Sequence, residues 1–505
     1  MPVWNFVRRS FYQDSVTLMR LTRDLEAVAG VRRAAAMMGT PPNRALLAGA
    51  GLLAAEGEAA GPADLVIAVA ADDAGAAEAA RAAVEDALTA ARAGAARATA
   101  PPRTLRRALD TLPDATLALI SVPGVYAGAE ARRALAAGLH VMLFSDNVAV
   151  ETEVALKRDA VARGLFVMGP DCGTAILHGV PLGFANVVPR GRVGLVASSG
   201  TGLQEVTCLL AAEGEGVSHA IGVGARDLSE AVGGVMTLAA LGALRDDPAT
   251  EVIVIVGKPP APGVVGALLR ALDGIGKPVV LCLVGLADFP APRDVRIATT
   301  LEDAAAIAAG IAAGREPRDL QLPAADLDRL VDEQACGFDP GQRFVRGLFS
   351  GGTLAWEAAT LLADRLPEVA AGVSGQGQGH RVVDLGEDVF TVGRPHPMID
   401  GSVRREWIAR AGADPTSAVL LLDLVLGHGA HPDPAGELTP ALEAVRRAAA
   451  GEGRRVAMVA SVTGTEEDPQ RRSRQAAALR KAGVVVMDSN AQAARLAALV
   501  AARLA

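Results

Sequence analysis

The chain has 505 residues, half of them hydrophobic but only 3% aromatic, and a formal net charge of −8. That length suits three or four domains, and a core so poor in aromatics must be built from Ala, Val and Leu, as in buried parallel strands covered by Ala-rich helices. The negative charge, with no Lys/Arg block, excludes a duplex-binding surface. Cys172, Cys208, Cys282 and Cys336 are widely spaced and form no CxxC pair, so neither a zinc site nor a disulfide framework is signalled. Arg8, Arg9 and Asp14 interrupt the apolar core a signal peptide would need, and no run of about twenty apolar residues reads as membrane-spanning. The expected compartment is the cytoplasm, with neither nucleic acid nor membrane as partner.

Residues 1–97 form the first predicted unit. Residues 7–12 read as a strand and 15–28 as a helix. Residues 32–38 and 44–53 read as two strands around the turn Gly39-Thr-Pro-Pro-Asn43, residues 64–70 as a further strand, and 74–93 as an Ala-rich helix. This mixture suggests a small α+β unit of ferredoxin-like or ACT-like type. After the linker at Ala100-Pro-Pro-Arg103, residues 104–190 alternate strand (115–122), helix (127–137), strand (140–144), helix (153–163) and strand (165–168). That βαβαβ pattern specifies a truncated Rossmann-like parallel sheet. It ends in Gly169-Pro-Asp171-Cys172-Gly173-Thr174, a polar loop past a strand's carboxyl end, where α/β sheets hold ligands.

From residue 191 the chain contains its own copy. Strand 192–197, Ser198-Ser199-Gly200-Thr201 and a helix with Glu205 match strand 343–349, Ser350-Gly351-Gly352-Thr353 and a helix with Glu357. Asp247-Pro248 before strand 252–256 matches Asp414-Pro415 before strand 419–426. Strand 278–284 then matches 455–461, and each copy closes with an Ala-rich helix. Two related flavodoxin-like domains, at 191–315 and 343–505, joined by the Asp- and Pro-rich residues 316–342, are the predicted result.

A helix start leaves backbone N–H groups unpaired and carries partial positive charge. Small residues there let an anion approach, and Ser or Thr hydroxyls add donors. Ser199, Gly200 and Thr201, with Gly351, Gly352 and Thr353, meet that need twice; a tight strand-to-helix turn would use the same residues. Packed about a pseudo-twofold axis, the two helices would aim at one shared anion. Neither loop has the Lys of a Walker A motif, and no GxGxxG follows the first strand of a βαβ unit.

His428 and His431, in Gly427-His-Gly-Ala-His-Pro-Asp-Pro434, follow an apolar strand. They suit phosphoryl transfer, proton transfer or anion binding, or else a plain turn. No third metal ligand accompanies them, so no metal is expected. In Arg394-Pro-His396-Pro-Met398, between strand-like 389–392 and a helix near Arg404, the prolines brace Arg394 and His396. The Arg fork fits a carboxylate or phosphate, or a surface ion pair. Cys172 is a candidate nucleophile or a small buried apolar group. Trp356 and Trp407 read as core residues.

These segments resemble the succinyl-CoA synthetase superfamily, and in particular its FdrA branch, over roughly residues 105–505. Gly169-Pro-Asp-Cys172 is similar to the Gly-Pro-Asn-Cys segment that closes the family's CoA-binding domain. Residues 191–201 with Glu205 resemble the opening of the α-subunit ligase domain, and residues 343–357 that of the β-subunit carboxyl-terminal domain. Asp384-Leu-Gly, residues 393–398 and residues 427–434 resemble FdrA proteins. The resemblance implies a fused α–β ligase core. Three of the superfamily's parts are absent from the sequence: the Gly-rich CoA-gripping loop, a Gly-His-Ala-Gly phosphohistidine segment after strand 278–284, and an ATP-grasp domain. Accordingly no cofactor is required in this reading, neither CoA nor ATP.

The resemblance implies either of two activities. One is carbamoyl transfer of the oxamate carbamoyltransferase type in allantoin degradation: oxalurate and phosphate giving oxamate and carbamoyl phosphate. The other is an acid–CoA ligase working with a separate ATP-grasp subunit; a non-catalytic scaffold is the remaining alternative. In the first, Ser199, Gly200, Thr201, Gly352 and Thr353 bind phosphate, Arg394 a substrate carboxylate, and His428 or His431 the carbonyl or proton. The expected partners are a small anionic substrate and a separate subunit in an oligomeric assembly.

Overall fold

The computed structural model describes residues 1–13, 15–95, 102–286, 290–372, 379–391 and 395–504. The first unit runs β1 (Val3–Arg8), α1 (Ser15–Glu26), β2 (Val31–Met38), α2 (Pro41–Gly49), α3 (Ala55–Glu58), β3 (Leu65–Ala71) and α4 (Ala74–Ala95). Its antiparallel sheet has the order β1-β3-β2. Fully buried β3 alternates Ile67 toward Leu25 and Val84 on one face with Val66 toward Leu47 and Leu52 on the other. Residues 44–53, expected as a strand, instead fall largely in α2. Thr40 caps that helix, its hydroxyl accepting the Asn43 N–H at 3.4 Å, and Pro41 occupies the first helical position, where a missing N–H costs nothing. The first strand also begins at Val3, not at residue 7.

The next segment forms α5 (Leu105–Thr111), β4 (Leu117–Ile120), α6 (Gly124–Ala136), β5 (His140–Leu143), α7 (Val150–Ala162) and β6 (Val167–Met168). Its three strands are parallel in the order β4-β5-β6, the arrangement the alternating pattern specified. The hairpin β7 (Thr174–Leu177) and β8 (Val180–Gly183), grouped with this unit on sequence, pairs instead with the following sheet. Buried Lys157 fastens α7 to that sheet, its Nζ donating to Glu153 and Asp227 at 2.7 Å each and to the Val223 carbonyl at 2.9 Å.

The first repeat runs β9 (Arg190–Ala197), α8 (Gly200–Ala212), β10 (Val217–Gly222), α9 (Val235–Asp246), β11 (Val252–Gly257), α10 (Pro262–Leu272), β12 (Val279–Leu283), β13 (Val295–Ile297) and α11 (Leu301–Ala312). The joining segment carries α12 (Ala324–Ala335), which buries Val331. The second repeat runs β14 (Phe344–Phe349), α13 (Gly352–Ala363), β15 (Val369–Ala371), β16 (His380–Asp384), α14 (Asp388–Thr391), α15 (Ser402–Ala413), β17 (Ser417–Val425), α16 (Pro434–Gly451), β18 (Ala457–Thr463), α17 (Arg472–Lys481), β19 (Val485–Met487) and α18 (Asn490–Arg503). The strand-like reading of 389–392 is replaced by the short helix α14.

Both repeats have the same parallel topology: β13-β12-β11-β9-β10 in the first corresponds to β19-β18-β17-β14-β16 in the second. Their shared core is continuous, running from Val193 and Leu203 through Phe349 and Leu354 to Leu496. Across it two buried glutamates cap each other's domain. Glu205 on α8 accepts the N–H of Asn490, the first residue of α18, at 2.9 Å, together with the Thr463 hydroxyl. Glu357 on α13 accepts the N–H of Leu301, the first residue of α11, at 2.7 Å, and the Asn490 side-chain amide at 2.7 Å. Each carboxyl thus answers an orphan donor at the opposite domain's last helix. Burial raises both, Glu357 to about 7.

Because Glu357 holds its proton more tightly folded than unfolded, its contribution is complete below the usual carboxylate range and is lost as pH rises through about 7. The melting temperature should therefore fall between pH 5 and pH 8, and Glu357→Gln should flatten that slope; an unchanged slope in the variant contradicts the assignment. Glu205→Ala, which strands the Asn490 N–H and the Thr463 hydroxyl, should cost roughly 2–4 kcal/mol in denaturant unfolding.

Candidate functional site

Helices α8 and α13 begin against one another at the carboxyl ends of β9 and β14. An ideal Cβ built on Gly351 would lie 2.7 Å from Thr201 Oγ1, and one on Gly202 would lie 3.0 Å from Thr353 Cγ2. Gly351 therefore stands where the first loop has Ser199 because Thr201 occupies the space a side chain would need. Thr201 and Thr353 share one cavity of about 680 Å³. Among the described residues neither hydroxyl has a protein partner, nor do the N–H groups of Gly200, Thr201, Gly352 and Thr353.

The two loops are braced differently. Ser199 caps α8 by accepting the Gly202 N–H at 2.9 Å. In the second loop, buried Asp423 of β17 accepts the N–H groups of Ser350 and Gly351 at 2.8 and 2.9 Å and is paired with buried Arg404 at 3.1 Å. Those two N–H groups are committed to the protein; the next two face the cavity. Buried Gln204, one turn into α8, donates to the Phe184 and Leu426 carbonyls at 2.7 and 2.9 Å and so holds the β7–β8 hairpin beside the site.

Three further side chains bring charge or protons to the cavity. Lys258 directly follows β11, is exposed, and carries its ammonium 5.5 Å from the Trp356 ring centre. Trp356, expected in the core, is part-exposed and donates its indole N–H to the Val284 carbonyl at 2.9 Å. Asp384 ends β16, with one oxygen 2.6 Å from where a Cβ on Gly352 would lie. Desolvation, reinforced by nearby Asp423 and Glu387, raises its carboxyl to about 6, against the Gly386 N–H it accepts at 2.8 Å. His396 has its Nε2 2.7 Å from the corresponding point on Gly386, and its Nδ1 accepts the Met398 N–H at 3.2 Å. Desolvation and then Arg404 depress it to about 4, so the imidazole is neutral with its proton on Nε2.

Of the residues singled out on sequence, Ser199, Gly200, Thr201, Gly352, Thr353, Asp171, Cys172, Gly173 and His396 line this cavity. Gly351 sits behind Thr201. His428 and His431 do not line it. Their loop lies behind Phe184, whose ring Gly429 abuts; His428 is exposed, and His431 stands 3.7 Å from Glu437. The reason is the capping geometry: the loop is drawn toward α16, where Asp433 accepts the Gly436 N–H. Arg394 lies outside the described residues. Cys172 is buried, donates to the Gly222 carbonyl at 3.3 Å, and is pushed up to about 12 by desolvation, so it is no thiolate nucleophile. Among the described residues no His, Cys, Asp and Glu group is arranged to hold a metal ion. Lys258 and Asp384 were not singled out as site residues, although both stand at the carboxyl ends of strands flanking the central strand of their sheets, β11 beside β9 and β16 beside β14, where the topology puts ligands.

The family model described as CoA-ligase matches residues 348–500, and that described as AllF, heavy metal-associated domain, matches residues 1–103. The protein YahF of Escherichia coli (strain K12) is 37% identical over 98% of both chains. The ADP-forming sulfoacetate-CoA ligase subunit SauD of Bilophila wadsworthia is 29% identical over 30% of this chain and 53% of its own. The α subunit of the ADP-forming succinate–CoA ligase of Staphylococcus aureus is 29% identical over 28% of this chain and 48% of its own. Among solved structures, a dinucleotide-forming acetyl-coenzyme A synthetase 1 of Ca. Korarchaeum cryptofilum, in complex with phosphate and ADP, aligns over 77% of this chain and 83% of its own. It does so at 16% identity and a TM-score of 0.28. No helix among the described residues is long and apolar enough to cross a membrane.

Thiol chemistry tests the site's burial. Cys172, Cys208 and Cys282 are buried and raised by desolvation, whereas Cys336 is exposed. Native protein at pH 8 should react rapidly at Cys336, and at the other three only on unfolding. Rapid alkylation of Cys172 would contradict its placement.

Proposed function

From a chain that belongs to the FdrA-type branch of the succinyl-CoA synthetase superfamily, we propose an enzyme that moves a carbamoyl group between an amide nitrogen and phosphate. The proposed reaction is oxalurate plus phosphate giving oxamate plus carbamoyl phosphate, in the cytoplasm, with neither ATP nor CoA required. The observation that carries it is the pairing of Thr201 and Thr353 over one cavity whose histidine, His396, has no lone pair free to take a phosphoryl group. Its Nδ1 accepts the Met398 N–H, which holds the proton on Nε2. A route through phosphohistidine needs the opposite tautomer; direct attack by phosphate does not.

In this reading the hydroxyls of Thr201 and Thr353, the N–H groups of Gly200, Thr201, Gly352 and Thr353, and the Lys258 ammonium hold phosphate at two converging helix starts. A phosphate oxygen bonds to the carbamoyl carbon while the C–N bond breaks. The electron pair leaves on nitrogen, and the proton phosphate brought ends on the oxamate amide. His396 Nε2–H donates to the carbonyl oxygen as negative charge gathers there, the role first given to His428 or His431. Asp384, able to exchange a proton near pH 6, relays one to the leaving nitrogen. Arg394, two residues before His396 in sequence, is the proposed carboxylate partner.

The second reading is an acid–CoA ligase acting with a separate ATP-grasp subunit in an oligomer. Its support is the likeness to SauD and to the succinate–CoA ligase α subunit, both named as subunits of ADP-forming ligases.

Thr201→Val and Thr353→Val should each lower kcat/KM for carbamoyl phosphate formation about 100-fold while leaving the melting temperature nearly unchanged. Intact-mass measurement after incubation with phosphate or ATP should show no phosphoryl adduct. An adduct on His396 or His428, or ATP-dependent CoA thioester formation at wild-type rate in both Thr variants, contradicts the carbamoyl-transfer reading.

A further inference from the structure

Part of the cavity wall is chemically different from the two helix starts. It is made by the first fifty residues of the chain, with Leu18 from α1, Met37 and Met38 from β2, and Leu46 from α2. Of the three polar side chains in that wall, Gln13, Thr22 and Asn43, the last two are already engaged. The Thr22 hydroxyl donates to the Leu18 carbonyl at 3.0 Å and accepts the Ala36 N–H at 2.8 Å, and the Asn43 amide donates to the Met38 carbonyl at 2.9 Å. What remains toward the cavity is mostly methyl, methylene and thioether surface.

The cavity thus combines the polar helix starts with a mostly apolar stretch of wall from the first unit, its roof, and at about 680 Å³ it falls in the range that encloses a whole organic ligand. Inorganic phosphate alone would leave most of it to water. Nor does the first unit carry, among the described residues, any group of His, Cys, Asp and Glu fit for a metal ion, although its family model is described as heavy metal-associated.

We propose that the N-terminal unit is the specificity wall of the active cavity: Met37, Met38 and Leu46 receive the uncharged part of the organic substrate that lies against the phosphate held at Thr201 and Thr353. This rests on the phosphate site assigned above and adds the substrate class, a molecule with an anionic and a neutral end. A methionine-lined wall suits that role because the thioether is polarizable and conformationally adaptable. Covering the cavity also keeps water from an acyl or carbamoyl phosphate formed beneath it.

The test uses the full chain, with Leu46→Trp to fill the roof and Leu46→Ala to enlarge it. Binding of inorganic phosphate, oxalurate, carbamoyl phosphate and CoA is measured by calorimetry, with circular dichroism and melting temperature as the check on folding. In Leu46→Trp the dissociation constant of phosphate should stay within about twofold of wild type, while that of each organic ligand the wild type binds rises at least tenfold. Leu46→Ala should retain its fold and weaken the same organic ligands several-fold, again sparing phosphate. The proposal is overturned if organic ligands bind both variants as they bind the wild type, if phosphate and organic ligands weaken together, or if the wild type binds none of the three. Absence of phosphate binding alone instead counts against the phosphate site, since the organic ligands still report on the roof.

Discussion

The structure depends on the exchange of caps between its two repeated domains. Glu205 leaves the first domain to satisfy the first N–H of the second domain's last helix, and Glu357 makes the reverse journey. A buried carboxyl is expensive unless hydrogen bonds answer it, and a buried helix start is expensive unless an acceptor reaches it. Here each problem resolves the other, and neither domain can do so alone. Asn490 joins the two arms, offering its backbone N–H to Glu205 and its side-chain amide to Glu357.

The consequence appears one helical turn away. Residues four apart in a helix share a face, so Thr201 lies on the face of Glu205 and Thr353 on that of Glu357. Clamping the glutamates into the opposite domain therefore draws the two threonines together, until a side chain at position 351 has no room. The pair of helix starts then meets at a single cavity. The symmetry is broken around it: Asp423 and Arg404 fasten the second loop from below, where the first loop relies on the hydroxyl of Ser199. Lys258 comes from the first domain, while Asp384 and His396 come from the second. Two helix starts and a set of proton-bearing side chains are thereby brought side by side on a duplicated frame.

Much of this frame was legible because repetition is visible without coordinates. The strand, Gly-Thr, three residues, Glu pattern marked both domains, and the common strand order followed from it. The glutamates were read as part of the pattern, but their cross-capping role was not, since sequence does not say which distant helix start a side chain will meet. Residues 44–53 misled because a short apolar run fits a strand or a helix alike, and the Thr-Pro start signal that governs α2 was read as a turn. The histidines misled for a related reason. A Gly-rich loop after a strand has the composition of a ligand loop, yet that of His428 is spent on turning into α16, while the less conspicuous His396 is carried into the cavity. Lys258 and Asp384 gave only the weak signal of standing at strand ends, and their significance comes from the neighbouring domain.

Two backbone cradles that open on one cavity should converge on one anion. A crystal structure of the full chain soaked in inorganic phosphate tests it most directly. One phosphate is expected, with oxygens within about 3 Å of both Thr201 Oγ1 and Thr353 Oγ1. A phosphate held by one loop alone, or bound elsewhere with the space between the two threonines filled by water, would contradict it.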